Sequence, residues 1–121
     1  MARILVIEDD ALVGEWLADF LGRAGHEVVR AENGHEGIRL LAETPAQVVI
    51  TDMIMPEKEG FETITELHRD HPDLPILAIS GGGQTGPKDY LETARLLGAV
   101  EVFAKPLDGP ALLARVNELV G

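Results

Sequence analysis

Ile4-Leu5-Val6-Ile7-Glu8-Asp9-Asp10 sets four aliphatic residues directly against three carboxylates. A continuous apolar run, with no polar alternation, is what a strand buried on both faces requires. Strands of that kind belong to parallel sheets covered by helices, so a helical pattern should come next. It does. Leu12, Trp16, Leu17, Phe20 and Leu21 fall on one face at helical spacing, and Gly25 supplies the left-handed conformation that ends such a helix.

The same alternation continues along the chain. Glu27-Val28-Val29-Arg30-Ala31 is a shorter, more polar strand suited to a sheet edge, and a helix over Gly34–Glu43 turns Ile38, Leu41 and Ala42 inward before Pro45 closes it. Gln47-Val48-Val49-Ile50-Thr51 is a third strand leading into Asp52. The helix carrying Phe61, Ile64 and Leu67 ends before Pro72, and Pro75-Ile76-Leu77-Ala78-Ile79 is the fourth strand. The glycine-rich segment from Ser80 to Pro87 reads as a loop. Tyr90, Leu91, Ala94 and Leu97 mark a fourth helix that stops near Gly98. Ala99 to Ala104 forms the fifth strand, Pro106 breaks it, and a final helix takes Leu112, Leu113, Val116, Leu119 and Val120 inward. Repeated β-α units predict an α/β fold: a five-stranded parallel sheet with helices on both faces, joined by right-handed crossovers.

Composition agrees with one domain over residues 1–121. The chain has 121 residues, 45% of them hydrophobic, which argues for a packed core and against disorder. Its formal net charge of −11 lacks the basic face that direct nucleic-acid binding needs. No apolar run approaches the length of a membrane span, and the N-terminus lacks a signal-peptide layout. With no cysteine, disulfide and thiolate chemistry are excluded. Together these features leave a soluble, acidic, single globular domain, its compartment only weakly constrained.

In open α/β sheets, ligands gather at the carboxyl ends of the strands. Glu8, Asp9 and Asp10 follow the first strand, Asp52 the third, Ser80 the fourth and Lys105 the fifth. A spatial strand order of 2-1-3-4-5 makes these ends neighbours. Two carboxylates about 4 Å apart repel by roughly 4 kcal/mol at an effective dielectric near 20, so the cluster needs a cation or a raised pKa. Oxygen ligands with no His or Cys nearby favour magnesium. Carboxylate nucleophile, divalent metal, lysine and hydroxyl are the parts of a phosphoryl transfer to aspartate. Singly, each residue has a plainer use: Asp10 as a helix N-cap, Asp52 as a turn residue, Ser80 as a loop hydroxyl and Lys105 as a solvated charge. His26, His35, His68 and His71 are scattered without metal-ligand spacing and read as surface residues.

Ile4 to Asp10, Val48 to Pro56 with Gly60, Pro75 to Ser80, Gly98-Ala99 and Ala104-Lys105-Pro106 together make the chain resemble a receiver domain of two-component response regulators, of the chemotaxis-regulator type, over essentially its full length. The resemblance implies the flavodoxin-like (βα)5 fold, with no output domain in this chain. It implies Asp52 as phosphoacceptor from a phosphohistidine of a sensor histidine kinase or histidine phosphotransfer protein. Glu8, Asp9, Asp52 and the backbone carbonyl of Ile54 would hold Mg2+, with Lys105 and Ser80 contacting phosphoryl oxygens. The Lys105-Pro106 bond is usually cis in that family. Such a domain is a signalling switch that catalyses its own phosphorylation and dephosphorylation, rather than an enzyme acting on other substrates. Its output is a change in protein–protein contacts, among them a phosphorylation-dependent homodimer; the downstream partner is not legible.

Three departures from the family pattern bear on switching. Val102 stands where an aromatic residue is usual, and its neighbour Phe103 points to the opposite face of the strand as core packing. The loop beginning Gly81-Gly82-Gly83 is unusually rich in glycine. Ile54 and Gly82, two residues beyond Asp52 and Ser80, would flank the path of the water that removes the phosphoryl group, and Ile54 offers that water no polar group. The alternative to a phosphorylated switch is a receiver-like interaction module that works through its surface alone. An aspartyl-phosphate hydrolase would need a second Asp where Ile54 stands, and a flavin phosphate would be repelled by Glu8, Asp9 and Asp10.

Overall fold

In the computed structural model, which describes residues 2–53, 58–80 and 94–120, strands and helices alternate along the chain. They are β1 (Arg3–Ile7), α1 (Ala11–Arg23), β2 (Glu27–Ala31), α2 (Gly34–Glu43), β3 (Val48–Asp52), α3 (Lys58–Asp70), β4 (Ile76–Ser80), β5 (Glu101–Ala104) and a last helix, Gly109–Val120. Residues 94–97 are also helical. The strands form one five-stranded sheet in the order β2-β1-β3-β4-β5, and every pairing is parallel.

Strand alternation divides the core into two layers. Leu5, Ile7, Val49, Ile76 and Ala78 face α2 and α3, where Leu41, Ile64 and Leu67 meet them, with Ala94 joining the same cluster. Ile4, Val6, Val48, Ile50, Leu77 and Ile79 face α1 and the last helix, packing on Leu17, Leu21, Leu112 and Val116. Each such side chain contributes about 1.5–3 kcal/mol on burial. β3 is buried along its whole length, whereas the edge strand β2 is largely part-exposed. Val102 packs on the first layer and Phe103 on the second, as alternation along β5 requires. Gly25 and Gly98 sit at positive φ of 98° and 129°, where the chain leaves a helix for the next strand.

Several expectations need correction. Leu12 is 77% exposed rather than in the core, lying beside Lys105, Pro106 and Leu107, and Trp16 on the same recess is 42% exposed. Ala42 is exposed as well; it turns onto the rim of a groove with Pro45 and His71, and Leu41 carries the packing of that turn. β5 begins at Glu101 instead of Ala99, because the chain needs Ala99 and Val100 to emerge from the Gly98 turn. His26 is buried rather than at the surface. Its Nδ1 accepts a hydrogen bond from the Ala2 N–H at 3.2 Å, so Nε2 carries the proton and donates to Asn117 Oδ1 at 2.9 Å. This clasp ties the start of β1 to the last helix. Tyr90, Leu91 and the glycine-rich loop, including Gly81 and Gly82, lie outside the described residues. No helix among the described residues is long and apolar enough to cross a membrane.

Candidate functional site

Register in the sheet brings the strand ends to one level. Ile7 pairs with Thr51, Asp52 with Ile79, and Ser80 with Ala104. The ladder continues past these ends through Glu8 N–H to Ala31 O at 3.0 Å and Met53 N–H to Ile79 O at 2.8 Å. Glu8 and Asp52 are therefore anchored by backbone bonds on both sides of the central strands. Both side chains are buried, with the residues 3% and 2% exposed, while Asp9 is exposed.

Lys105 reaches into this acidic site from the end of β5. Its Nζ lies 3.3 Å from Glu8 Oε1 and 3.4 Å from Asp52 Oδ2, so one ammonium spans two buried carboxyls. Burial alone would lower the lysine pKa, but the charges of Asp52 and Glu8 outweigh it and the net shift is upward. The Lys105-Pro106 peptide bond is cis.

A single lysine does not neutralise the cluster, and Glu8 carries the consequence. Its pKa is pushed up to about 8, first by burial, then by a hydrogen bond shared with Asp52 and by the Asp52 charge. The Asp10 N–H, which donates to Glu8 Oε2 at 3.1 Å, and the charge of Lys105 pull the other way. Glu8 Oε1 is buried without a well-directed hydrogen bond, since Lys105 stands at ion-pair distance but not in hydrogen-bonding alignment. The Lys105 ammonium is the positive charge that faces this buried oxygen, and a bound metal ion could share that place.

Carboxylate oxygens of Glu8, Asp9 and Asp52 lie within 4.8 Å of one another, close enough to share one ion. Hard oxygen donors with an unsatisfied buried atom among them fit a divalent cation of the magnesium or calcium class. Asp10 is turned away from this cluster: its Oδ1 caps α1 by accepting from Leu12 N–H at 2.9 Å. The capping use expected for Asp10 is thus the one it has. Ile54 and the side chain of Ser80 lie outside the described residues.

Beside the site is a feature the sequence pattern did not foretell. Leu12, Val13, Trp16, Pro106 and Leu107 line an apolar recess of about 270 Å³ whose wall includes Lys105. Trp16 stacks on Phe20, with ring centroids 5.2 Å apart. The available signal was Leu12 itself, a large apolar residue placed two residues after an acidic cap.

Comparison with known proteins adds independent weight. The family model described as "Response regulator receiver domain" matches residues 4–117. The chain is 30% identical to "Protein PilH" of Pseudomonas aeruginosa over 99% of its own length and 98% of that protein. It is also 30% identical to "Response regulator RR06" of Streptococcus pneumoniae over 98% of its own length, but spans only 52% of that protein. Among solved structures, a response regulator receiver domain protein from Clostridium thermocellum superposes with a TM-score of 0.89 at 30% identity, covering 99% of this chain and 94% of that one.

Proposed function

The chain belongs to the response regulator receiver domains, and from that premise we propose that Asp52 is its phosphoacceptor in a two-component phosphorelay. Receiver domains are signalling switches. The observation that carries the assignment is the buried Asp52 carboxylate on a central strand end, 3.4 Å from Lys105 and grouped with two further carboxylates. In the proposed reaction an Asp52 Oδ attacks the phosphorus of a phosphohistidine, and the P–N bond breaks with its electron pair left on the imidazole. Glu8, Asp9 and Asp52, with the carbonyl of Ile54, would hold Mg2+. The bound cation would offset the negative charge that otherwise repels phosphate from this acidic cluster. Lys105 would follow a phosphoryl oxygen away from Glu8, and Ser80 would donate to another.

The donor in this reading is a sensor histidine kinase or histidine phosphotransfer protein meeting the domain in the cytoplasm. A protein donor must cover the surface around Asp52, and the recess lined by Leu12, Trp16 and Leu107 gives that surface an apolar part. The output is a change in protein–protein contacts rather than a reaction on another substrate. Incubation with Mg2+ and acetyl phosphate followed by intact mass measurement tests the assignment. One added phosphoryl group is expected, abolished by Asp52→Asn; an unlabelled wild type or a labelled Asp52→Asn refutes it.

A further inference from the structure

Asp10 links the start of α1 to the acidic site. Its Oδ1 accepts from Leu12 N–H at 2.9 Å and Val13 N–H at 3.5 Å, and its carbonyl accepts the first helical bond, from Gly14 N–H, at 3.0 Å. As the N-cap it keeps an extended backbone, φ −81° and ψ 111°, which leaves its own N–H outside the helix. That N–H is donated to Glu8 Oε2 at 3.1 Å. Of the two Glu8 oxygens, one is thus fixed by the cap residue while the other, Oε1, is the buried atom with no well-directed hydrogen bond.

We propose that Asp10 is a positioning residue for the cation site: by capping α1 it holds its own N–H against Glu8 Oε2 and so keeps Glu8 Oε1 presented to the ion. Asp10 is not itself a ligand in this scheme. Its carboxylate is committed to the helix, and its effect passes through the backbone to a neighbour two residues away. The physical reason is the stiffness of the first turn. Without a side-chain acceptor at the cap, Leu12 and Val13 N–H groups seek water, the first turn frays, and the Asp10 peptide is free to rotate. Glu8 then loses the donor on Oε2, the oxygen that Lys105, paired with Oε1, does not hold. The idea rests on the cation reading above, deepening it by naming what orients one of its two buried ligands.

Mg2+ titration of the purified chain, followed by Trp16 emission and by calorimetry, tests this without any phosphorylation step. Alanine, glycine, asparagine and serine replacements at Asp10 are compared. Asn and Ser still cap, and Gly costs little helix stability, so a fold is retained even if Asp10→Ala is poorly soluble. We expect Asp10→Ala to weaken Mg2+ binding about tenfold, the low end for loss of an outer partner of a metal ligand, and Asp10→Gly to weaken it in the same direction but by less. Asp10→Asn and Asp10→Ser should stay within about twofold of wild type, because capping by a neutral oxygen suffices. Two results overturn the proposal. If Asp10→Ala and Asp10→Gly lower only the melting temperature and bind Mg2+ as wild type does, the cap is merely structural. If Asp10→Asn weakens binding as much as Asp10→Ala, the charge acts on the ion directly. A wild type that binds no Mg2+ overturns the cation reading itself, and this proposal with it.

Discussion

Proton and cation compete for Glu8, and the competition has a size. The Glu8 carboxyl is raised from 4.5 to about 8, chiefly by burial and then by its contact with Asp52. A carboxylate must be ionised to bind a metal, so near neutral pH the ion has to displace a proton. Each pH unit below the pKa costs about 1.4 kcal/mol, a factor of about ten in affinity. Apparent Mg2+ affinity should therefore rise about tenfold per unit from about pH 6 to about pH 8, then level off. Near neutrality roughly one proton should leave per ion bound, which calorimetry in buffers of different ionisation heat detects. Glu8→Gln cannot titrate, so its weaker binding should be flat across the same range. The metal-free fold follows the opposite course. Between 4.5 and about 8 the unfolded chain has lost the Glu8 proton and the native chain keeps it, so this group's contribution to stability is full below 4.5 and declines as pH rises to about 8. Glu8→Gln removes that decline, and the difference between the two denaturation profiles isolates it. Wild-type Mg2+ affinity that is unchanged from about pH 6 to about pH 8 would refute the argument, as would a Glu8→Gln variant that keeps the slope.

Removing the lysine should expose the cost of the acidic cluster. Lys105→Ala is expected to destabilise the metal-free chain by about 2–3 kcal/mol in urea denaturation, with Mg2+ restoring much of the loss. His26→Ala should cost about 1–3 kcal/mol, because it strands the buried Ala2 N–H, and an unchanged denaturation midpoint would contradict the clasp. Glycine replacements should diverge in sign. Gly22→Ala, with open space around the added methyl inside α1, should gain about 0.5–1 kcal/mol. Gly98→Ala, at φ +129° and against the His68 ring, should lose about 1–3 kcal/mol. Leu12→Ala and Trp16→Ala should leave acetyl phosphate labelling within about twofold of wild type, since neither touches Asp52. Slower transfer from a phosphohistidine protein, in the same variants, would assign the recess to donor docking.

Strand runs and helix spacing were legible because burial writes itself into periodicity. Ile4-Leu5-Val6-Ile7 and Val48-Val49-Ile50 can sit only where both faces are covered, and their positions in the chain fix the β-α alternation. Leu12 and Ala42 were misread because periodicity names a helix face, not how far the sheet extends beneath it. His26 was misread for a related reason. Nothing local in the chain says that Ala2 and Asn117, far apart in sequence, will supply its two hydrogen-bond partners.

The sequence by itself determined the α/β architecture, the acidic strand ends and the family pattern, because those depend on residue type and spacing alone. Tertiary structure decided what the charges do to one another. Only the parallel register of β1, β3 and β5 across the sheet places Lys105 between Glu8 and Asp52 and leaves Glu8 Oε1 buried without a well-directed hydrogen bond. Charge type is local and visible in a string of letters. Desolvation and distance are not, and in a buried cluster those two quantities set whether an acid holds a proton, a lysine or an ion.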